Sequence, residues 1–554
     1  MSRWFIWLCL LLLPLSGWAQ EVPGWADRFR FLAVQQGGRL KPFDTFALET
    51  VRYITGKSEF EKRDPVVTML QWYALGDQVA DLPVVEFRNK DWHKKLGLPV
   101  EQRYFTAAEL NANPEFIKVR EELHKLKPGD KVPNRLSAIN ELVGKLAYLE
   151  MISKGAIWTM VPSPEGLTAQ WASFYEVENA QNAPAELKKA ISAFHTALIN
   201  KSGEDKAVND LATALQGVGP YPDGTALARE VHYNQFHAFR KAWMLYLFSL
   251  VCLFLTTRGT SLYWLGVASA GGGWALHAYG FYLRCSIGGR PPVTNMYESV
   301  IWVAFGAITF ALIFEMLYRQ RSYLMAACSG AVICLALADQ LPAVLDPSIR
   351  PLMPVLRSNF WLTIHVLTIT LGYAAFLLSM GLGHMVLWKH LNGPDQKEEL
   401  NALHTALYKA IQVGVVLLAA GTLLGGVWAN YSWGRFWGWD PKEVWALIAL
   451  LGYLAILHAR FTNWIGAFGI AAWSVLAFQG VLMAWYGVNF VLGAGLHSYG
   501  FGTGGVQYVA VYSALEVLFV AFTAWRVKGR SREIFAPVPK VDPGLTVSRD
   551  ESAN

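Results

Sequence analysis

The sequence predicts an all-α polytopic membrane protein, with about nine transmembrane helices behind a mainly helical N-terminal extracytoplasmic domain. Three observations predict it. Of 554 residues, 53% are hydrophobic and only 16% charged, a balance too apolar for a soluble chain of this length. The excess is confined to residues 241–528, whereas residues 20–240 carry ordinary charge. Helix-start signals recur along the N-terminal part, and little of it alternates with period two.

At the N-terminus, Arg3 precedes an apolar stretch to Leu15 and then Gly17-Trp18-Ala19. Residues 1–19 read as a signal peptide or N-terminal anchor, and either one exports residues 20–240. Within that domain, Gly37-Gly38-Arg39-Leu40-Lys41-Pro42-Phe43-Asp44-Thr45-Phe46 gives a turn followed by a helical pattern. Thr106 and Glu109 form a capping box ahead of an amphipathic stretch running to Lys127. Further helical stretches follow Pro133 and Pro184. Nothing in this domain carries a catalytic signature.

The apolar spans fall at roughly 243–256, 261–284, 298–318, 323–343, 360–388, 407–428, 443–459, 464–487 and 508–526. Most approach the ~20 residues a spanning helix needs. With residues 20–240 outside, nine spans leave a cytoplasmic tail, residues 529–554. Arg258, Arg319, Arg321, Lys389, Lys397, Arg460 and the cluster Arg526, Lys528, Arg530, Arg532 then lie inside, as the positive-inside rule requires. That cluster is a cytoplasmic stop, not a nucleic-acid patch. Arg284, Arg290, Arg350, Arg357, Arg435 and Lys442 fall in outer loops, where they are either ordinary surface charge or partners for ligand carboxylates. The five cysteines include no CxxC pair and no CxxCH, which argues against a thiol reductase and against a covalently held c-type haem. There is no nucleotide-binding P-loop.

One run stands apart: Trp433-Gly434-Arg435-Phe436-Trp437-Gly438-Trp439-Asp440-Pro441-Lys442-Glu443-Val444-Trp445, with Trp428 just before it. It lies outside, between the sixth and seventh spans. Tryptophans gather at membrane interfaces in general, but scattered belts do not concentrate indoles, glycines and Asp-Pro in this way. Indole faces suit a flat macrocycle, and indole N–H groups can donate to its carboxylates. Histidines flank the run. His365 lies one turn inside the outer end of the fifth span, and His497 is in the outer loop after the eighth. His458 is 18 residues beyond Asp440, roughly 27 Å of helix, which puts it near the cytoplasmic face. Two histidines from opposite sides can hold a haem iron axially. His277, in the outer half of the second span, is a weaker candidate. His384, His390 and His404 read as interfacial. Each intramembrane histidine has packing as its alternative role, although ionisable groups in spans are costly.

Trp433-Gly434, Trp437, Trp439-Asp440, Glu443 and Trp445 resemble the WWD signature of haem-handling proteins, and the CcsA/ResC branch, the system II cytochrome c synthase, fits best. The resemblance covers roughly residues 235–528; residues 25–60 also resemble the linker ahead of the CcsA part in fused CcsB–CcsA synthases. It implies haem b as substrate and bound ligand, with iron ligands His365, His497 and His458 and a binding surface of Trp428, Trp433, Arg435, Trp437, Gly438, Trp439 and Asp440. It implies a cytochrome c haem-lyase (holocytochrome c synthase) subunit of the bacterial cytoplasmic membrane that contributes no nucleophile, because the thiols of apocytochrome c are the nucleophiles. Its partners would be a CcsB/ResB-type subunit, apocytochrome c and, indirectly, a thiol-reducing protein. This chain lacks the CcsB spans, so the inner partner of His458 is expected from a separate subunit. Three other readings remain: a CcmC-like haem exporter or chaperone, a b-haem membrane oxidoreductase, which the unmatched depth of His458 disfavours, and a metabolite transporter, which leaves the tryptophan run unexplained. Asp440 is expected either to cap the seventh span or to touch ligand.

Overall fold

The computed structural model describes residues 22–127, 132–256, 260–292, 294–341, 344–351, 359–392, 397–493, 495–496 and 505–528. The expected leader, the cytoplasmic tail, Arg258, Arg357 and His497 lie outside these. Two units form. One holds residues up to His237 together with Tyr282–Arg290 and Ser348–Pro351; the other holds the remainder.

In the first unit, α1 (Gly24–Phe29) leads into a hairpin of β1 (Ala33–Gln36) and β2 (Arg39–Pro42). Gly37 and Gly38, with φ of 62° and 81°, make its turn, because a type I′ hairpin turn has positive φ at both central positions. There follow α2 (Phe43–Thr55), α3 (Pro65–Leu75), β3 (Val85–Glu86), α4 (Lys90–Leu96), β4 (Tyr104–Phe105), α5 (Ala107–Ala112), α6 (Pro114–His124), α7 (Ser137–Ser153), α8 (Phe174–Asn179), α9 (Ala185–Asn200), α10 (Glu204–Gln216) and α11 (Gly224–Phe236). The core is aromatic: Phe29 stacks on Phe194 at 4.9 Å, and Phe43 meets Trp158 at 4.9 Å.

The amphipathic stretch expected from Thr106 to Lys127 is two helices. Thr106 Oγ1 accepts from the Glu109 amide at 3.0 Å as expected, but Pro114 disfavours helical backbone at Asn113. The chain breaks there and restarts, with the Asn113 side chain accepting from the Phe116 amide. Residues 39–45 are tied to α11 by buried and part-buried polar bonds. Arg39 grips Glu230 bidentately (2.8 and 2.6 Å), Thr45 donates to the same carboxylate, and Asn234 donates to Asp44 at 2.9 Å. Burial raises the Asp44 carboxyl above its usual range, against the pull of Asn234 and Arg30.

The second unit contains α12 (Ala238–Phe254), α13 (Ser261–Gly288, whose last turns belong to the first unit), α14 (Met296–Tyr318), α15 (Ser322–Gln340), α16 (Asn359–Asn392), α17 (Lys397–Trp433), α18 (Pro441–Phe461), α19 (Ala467–Leu482) with a π-helical continuation Met483–Leu492, and α20 (Val506–Val527). These helices fall on the expected apolar spans. Among the described residues seven are long and apolar enough to cross a membrane; α12, at 17 residues, and α13 are not among them. The chain is a multi-pass membrane protein. Helix α16 is the hub, packing on α14, α15, α17, α19 and α20. Its tightest neighbour, α17, carries Gly421 and Gly425 on one face, the small-xxx-small spacing that lets helices approach closely in lipid. A Cβ on Gly421 would lie 2.6 Å from the Ile369 backbone.

Candidate functional site

The approach of α16 to α17 fixes His365. Its imidazole lies over Gly425, where a Cβ would come within 2.6 Å of the ring. Nδ1 is 2.7 Å from the Gly421 carbonyl oxygen. A carbonyl only accepts, so Nδ1 carries the proton, and in the neutral ring Nε2 is the basic nitrogen. A histidine is set up for metal ligation in this way, by a fixed Nδ1–H and an oriented ring. Trp428 lies almost parallel to the imidazole, 7° between planes with centroids 6.2 Å apart. Trp433 meets Trp428 edge-on at 4.6 Å. Leu362, Trp361 and Val366 complete this cluster.

Helix α17 runs five residues beyond the expected span end and takes in Trp433. Gly434, with φ 72°, stops it, and its amide donates back to the Asn430 carbonyl at 3.0 Å. Residues 434–440 then bridge to α18. The tryptophans therefore divide. Trp428 is 1% exposed and Trp433 is half-buried beside it, while Trp439 is 70% exposed and meets Trp437 edge-on at 5.9 Å. Trp439 has φ +58°, an outlier for a bulky residue. The cause is Glu443, whose Oε2 accepts from the amides on either side of Trp439, Gly438 N at 2.8 Å and Asp440 N at 3.1 Å. Its other oxygen takes Arg435 Nη1 at 2.9 Å.

Asp440 is the N-cap of α18, forms a capping box with Glu443, and accepts from Lys442 N at 3.2 Å. Its second oxygen accepts from Leu496 N at 2.6 Å. Gly438 lies against the Arg435 guanidinium, where a side chain would clash. Arg435, expected as ordinary surface charge or a partner for ligand carboxylates, is thus held by Glu443 and lies over the Trp433 ring at 5.5 Å.

The remaining expected residues are scattered. His458 is in the last turn of α18, exposed, at the far end of the helix from Asp440; its Nδ1–H donates to Leu454 O at 2.9 Å. His277 is fully buried and ringed by Phe239, Tyr246, Phe281 and Phe305, with Tyr246 Oη 3.2 Å from Nδ1. The structure gives it a packing environment and does not join it to the aromatic run. Of the other basic residues expected in outer loops, Arg284 is buried and bonded to Tyr233, and Arg290 donates to the Arg350 carbonyl.

Residues 293–497, which contain His365, the tryptophan run and His458, match the family described as Cytochrome C assembly protein. The chain is 36% identical over 246 residues to the cytochrome c biogenesis protein CcsA of Prochlorococcus marinus (strain MIT 9301), covering 39% of this chain and 78% of that one. The chain belongs to the CcsA family of cytochrome c biogenesis proteins. It is 35% identical over 232 residues to the CcsA of Chlamydomonas reinhardtii, covering 40% of this chain and 64% of that protein. It is 29% identical over 496 residues to Protein NrfI of Wolinella succinogenes, covering 84% of this chain and 53% of the relative. The chain therefore spans about half the length of NrfI. The NrfI match is too long to lie wholly beyond His237, so it takes in much of the N-terminal unit.

Within this CcsA-type bundle, several contributors escape a linear reading. Gly421 and Gly425 seat His365, and the GxxxG spacing was the available signal. His384 was expected at an interface, but it pairs with Glu516 of α20, Nε2 to Oε2 2.7 Å, and stacks on Phe519. His390 and His404, expected at the same interface, are buried. No local pattern announces a pairing across 132 residues of sequence.

Proposed function

We propose that this chain carries haem b as a substrate through the bacterial cytoplasmic membrane and presents it on the outer face for attachment to apocytochrome c. The N-terminal unit lies outside, the bundle crosses the membrane nine times, and a CcsB/ResB-type subunit completes the synthase. Haem enters near His458, with a second inner ligand supplied by the partner. It comes to rest against the aromatic run with its iron between His365 and His497. The CxxCH of apocytochrome c then adds its two thiols to the haem vinyls. Each S–H adds across a C=C bond, so an S–C bond forms, the proton goes to the neighbouring carbon, and no oxidant is consumed. The histidine of the CxxCH replaces one protein ligand. The chain's own contribution is placement of the vinyls and control of iron ligation.

The observation that carries this reading is His365. Its Nδ1–H is anchored on Gly421 O and its plane is set parallel to Trp428, beside the signature run. The test is the absorption spectrum of the purified chain, co-expressed with its partner subunit, for wild type, His365→Ala and His497→Ala, with pyridine haemochrome to count intact vinyls. Non-covalent haem with both vinyls, lost or spectrally shifted in each variant, is expected. A colourless wild-type complex, or variants with the wild-type spectrum, would sink the proposal.

A further inference from the structure

We infer that Asp440 is a positioning residue: its carboxylate clasps the segment Gly495-Leu496 to the start of α18 and thereby anchors the chain at that point. The inference rests on the haem reading above and deepens it, because the residue that follows Leu496 in sequence is the proposed ligand His497.

Two independent observations carry it. The first is the division of labour within the carboxylate. Oδ2 accepts from Lys442 N at 3.2 Å and caps α18, while Oδ1 accepts from Leu496 N at 2.6 Å, 56 residues away. A cap needs only one of these oxygens. The second is Gly495. It has φ +93°, and a Cβ there would collide with Asp440 Oδ1 and lie 2.8 Å from Pro441 Cδ. The backbone of the loop is therefore laid directly on the Asp-Pro corner, in a conformation and at a distance that favour glycine. Asp440 itself is 95% buried, being 5% exposed, so its charge is spent on these amides. Glu443 does the equivalent for residues 438–440. The acidic residues of the signature thus hold two segments, the tryptophan run and Gly495-Leu496, on one helix start.

The test compares wild type with Asp440→Ala, Asp440→Asn and Gly495→Ala in the full chain with its partner subunit. Hydrogen exchange of the peptide containing Leu496 gives a readout that needs no haem. Loss of an amide bond to a charged acceptor raises exchange there at least about tenfold in Asp440→Ala. Asp440→Asn gives a smaller rise, since the amide oxygen still accepts. Gly495→Ala frees the same peptide while leaving the α18 cap intact, so it separates clasp from cap and serves if Asp440→Ala does not fold. In the haem spectrum, Asp440→Asn and Gly495→Ala are expected to keep haem but shift from six- towards five-coordinate iron, with added imidazole restoring the wild-type band. Unchanged exchange at Leu496 in all three variants would overturn the clasp. Outright haem loss in Asp440→Asn with unchanged exchange would make Asp440 a ligand contact instead. If the wild type holds no haem, the function proposal fails while the exchange data still decide the clasp.

Discussion

His365 and His458 use the same local device in opposite settings. Each donates from Nδ1 to a helix carbonyl, which leaves Nε2 basic. For His365 the acceptor is Gly421 on a neighbouring helix, the ring lies over Gly425, and Trp428 runs parallel to it. For His458 the acceptor is Leu454, four residues back on its own helix, and the ring is exposed. A ring held between two helices has its direction fixed by the fold. A ring held only by its own turn has its direction fixed once something else packs on it. The difference accords with the proposed roles, a preset ligand at one end and an entry point that takes its direction from a partner at the other.

The largest effect should come from Gly425→Val. The added side chain falls where the His365 ring lies, so either the helices part or the ring leaves Gly421 O. Overpacking of this kind costs about 1–3 kcal/mol. We expect a clear fall in thermal stability together with loss of co-purified haem. Unaltered haem content would show that the site does not depend on this seat.

His458→Ala should behave differently. The side chain is exposed and hydrogen-bonds within its own turn, so stability should stay within about 0.5 kcal/mol of wild type. If haem is delivered past His458 as proposed, the haem that co-purifies with the chain should fall in cells. Undiminished haem would remove His458 from the entry route.

The smallest effect is expected of Gly452→Ala on α18. A Cβ there meets nothing within 4 Å, and alanine is the better helix former by about 1 kcal/mol. Melting temperature should hold or rise slightly, with haem unchanged. A fall comparable to that of Gly425→Val, measured in the same detergent, would mean that the two helices are not packed differently.

Much of this was legible in the linear chain because it depends on local rules. Apolar stretches of spanning length became helices, and Asp440-Pro441 with Glu443 became a capped helix start. Pro114 was also a legible stop, although the pattern running through it suggested one helix. What could not be read depends on contacts distant in sequence. The split of the tryptophans into a packed pair, Trp428 and Trp433, and a second pair ending in the exposed Trp439 follows from α17 extending to Trp433 before Gly434 turns it. Arg435 has a buried carboxylate partner because the connector folds back on α18. His277 sits in an aromatic cage because Phe239, Tyr246, Phe281 and Phe305 converge on it, and those rings come from three helices. His384 and Glu516 meet only because α20 returns to the hub helix.

Trp439 has one more consequence. Its left-handed backbone costs about 1–2 kcal/mol that glycine would not incur, so Trp439→Gly relaxes the connector while deleting the ring. A chain selected for durability alone would drift towards glycine here. Random libraries sorted first for heat resistance and then for cytochrome c yield should pull this position in opposite directions. The residue would thereby mark, without any bound ligand, where the molecule gives up robustness for use.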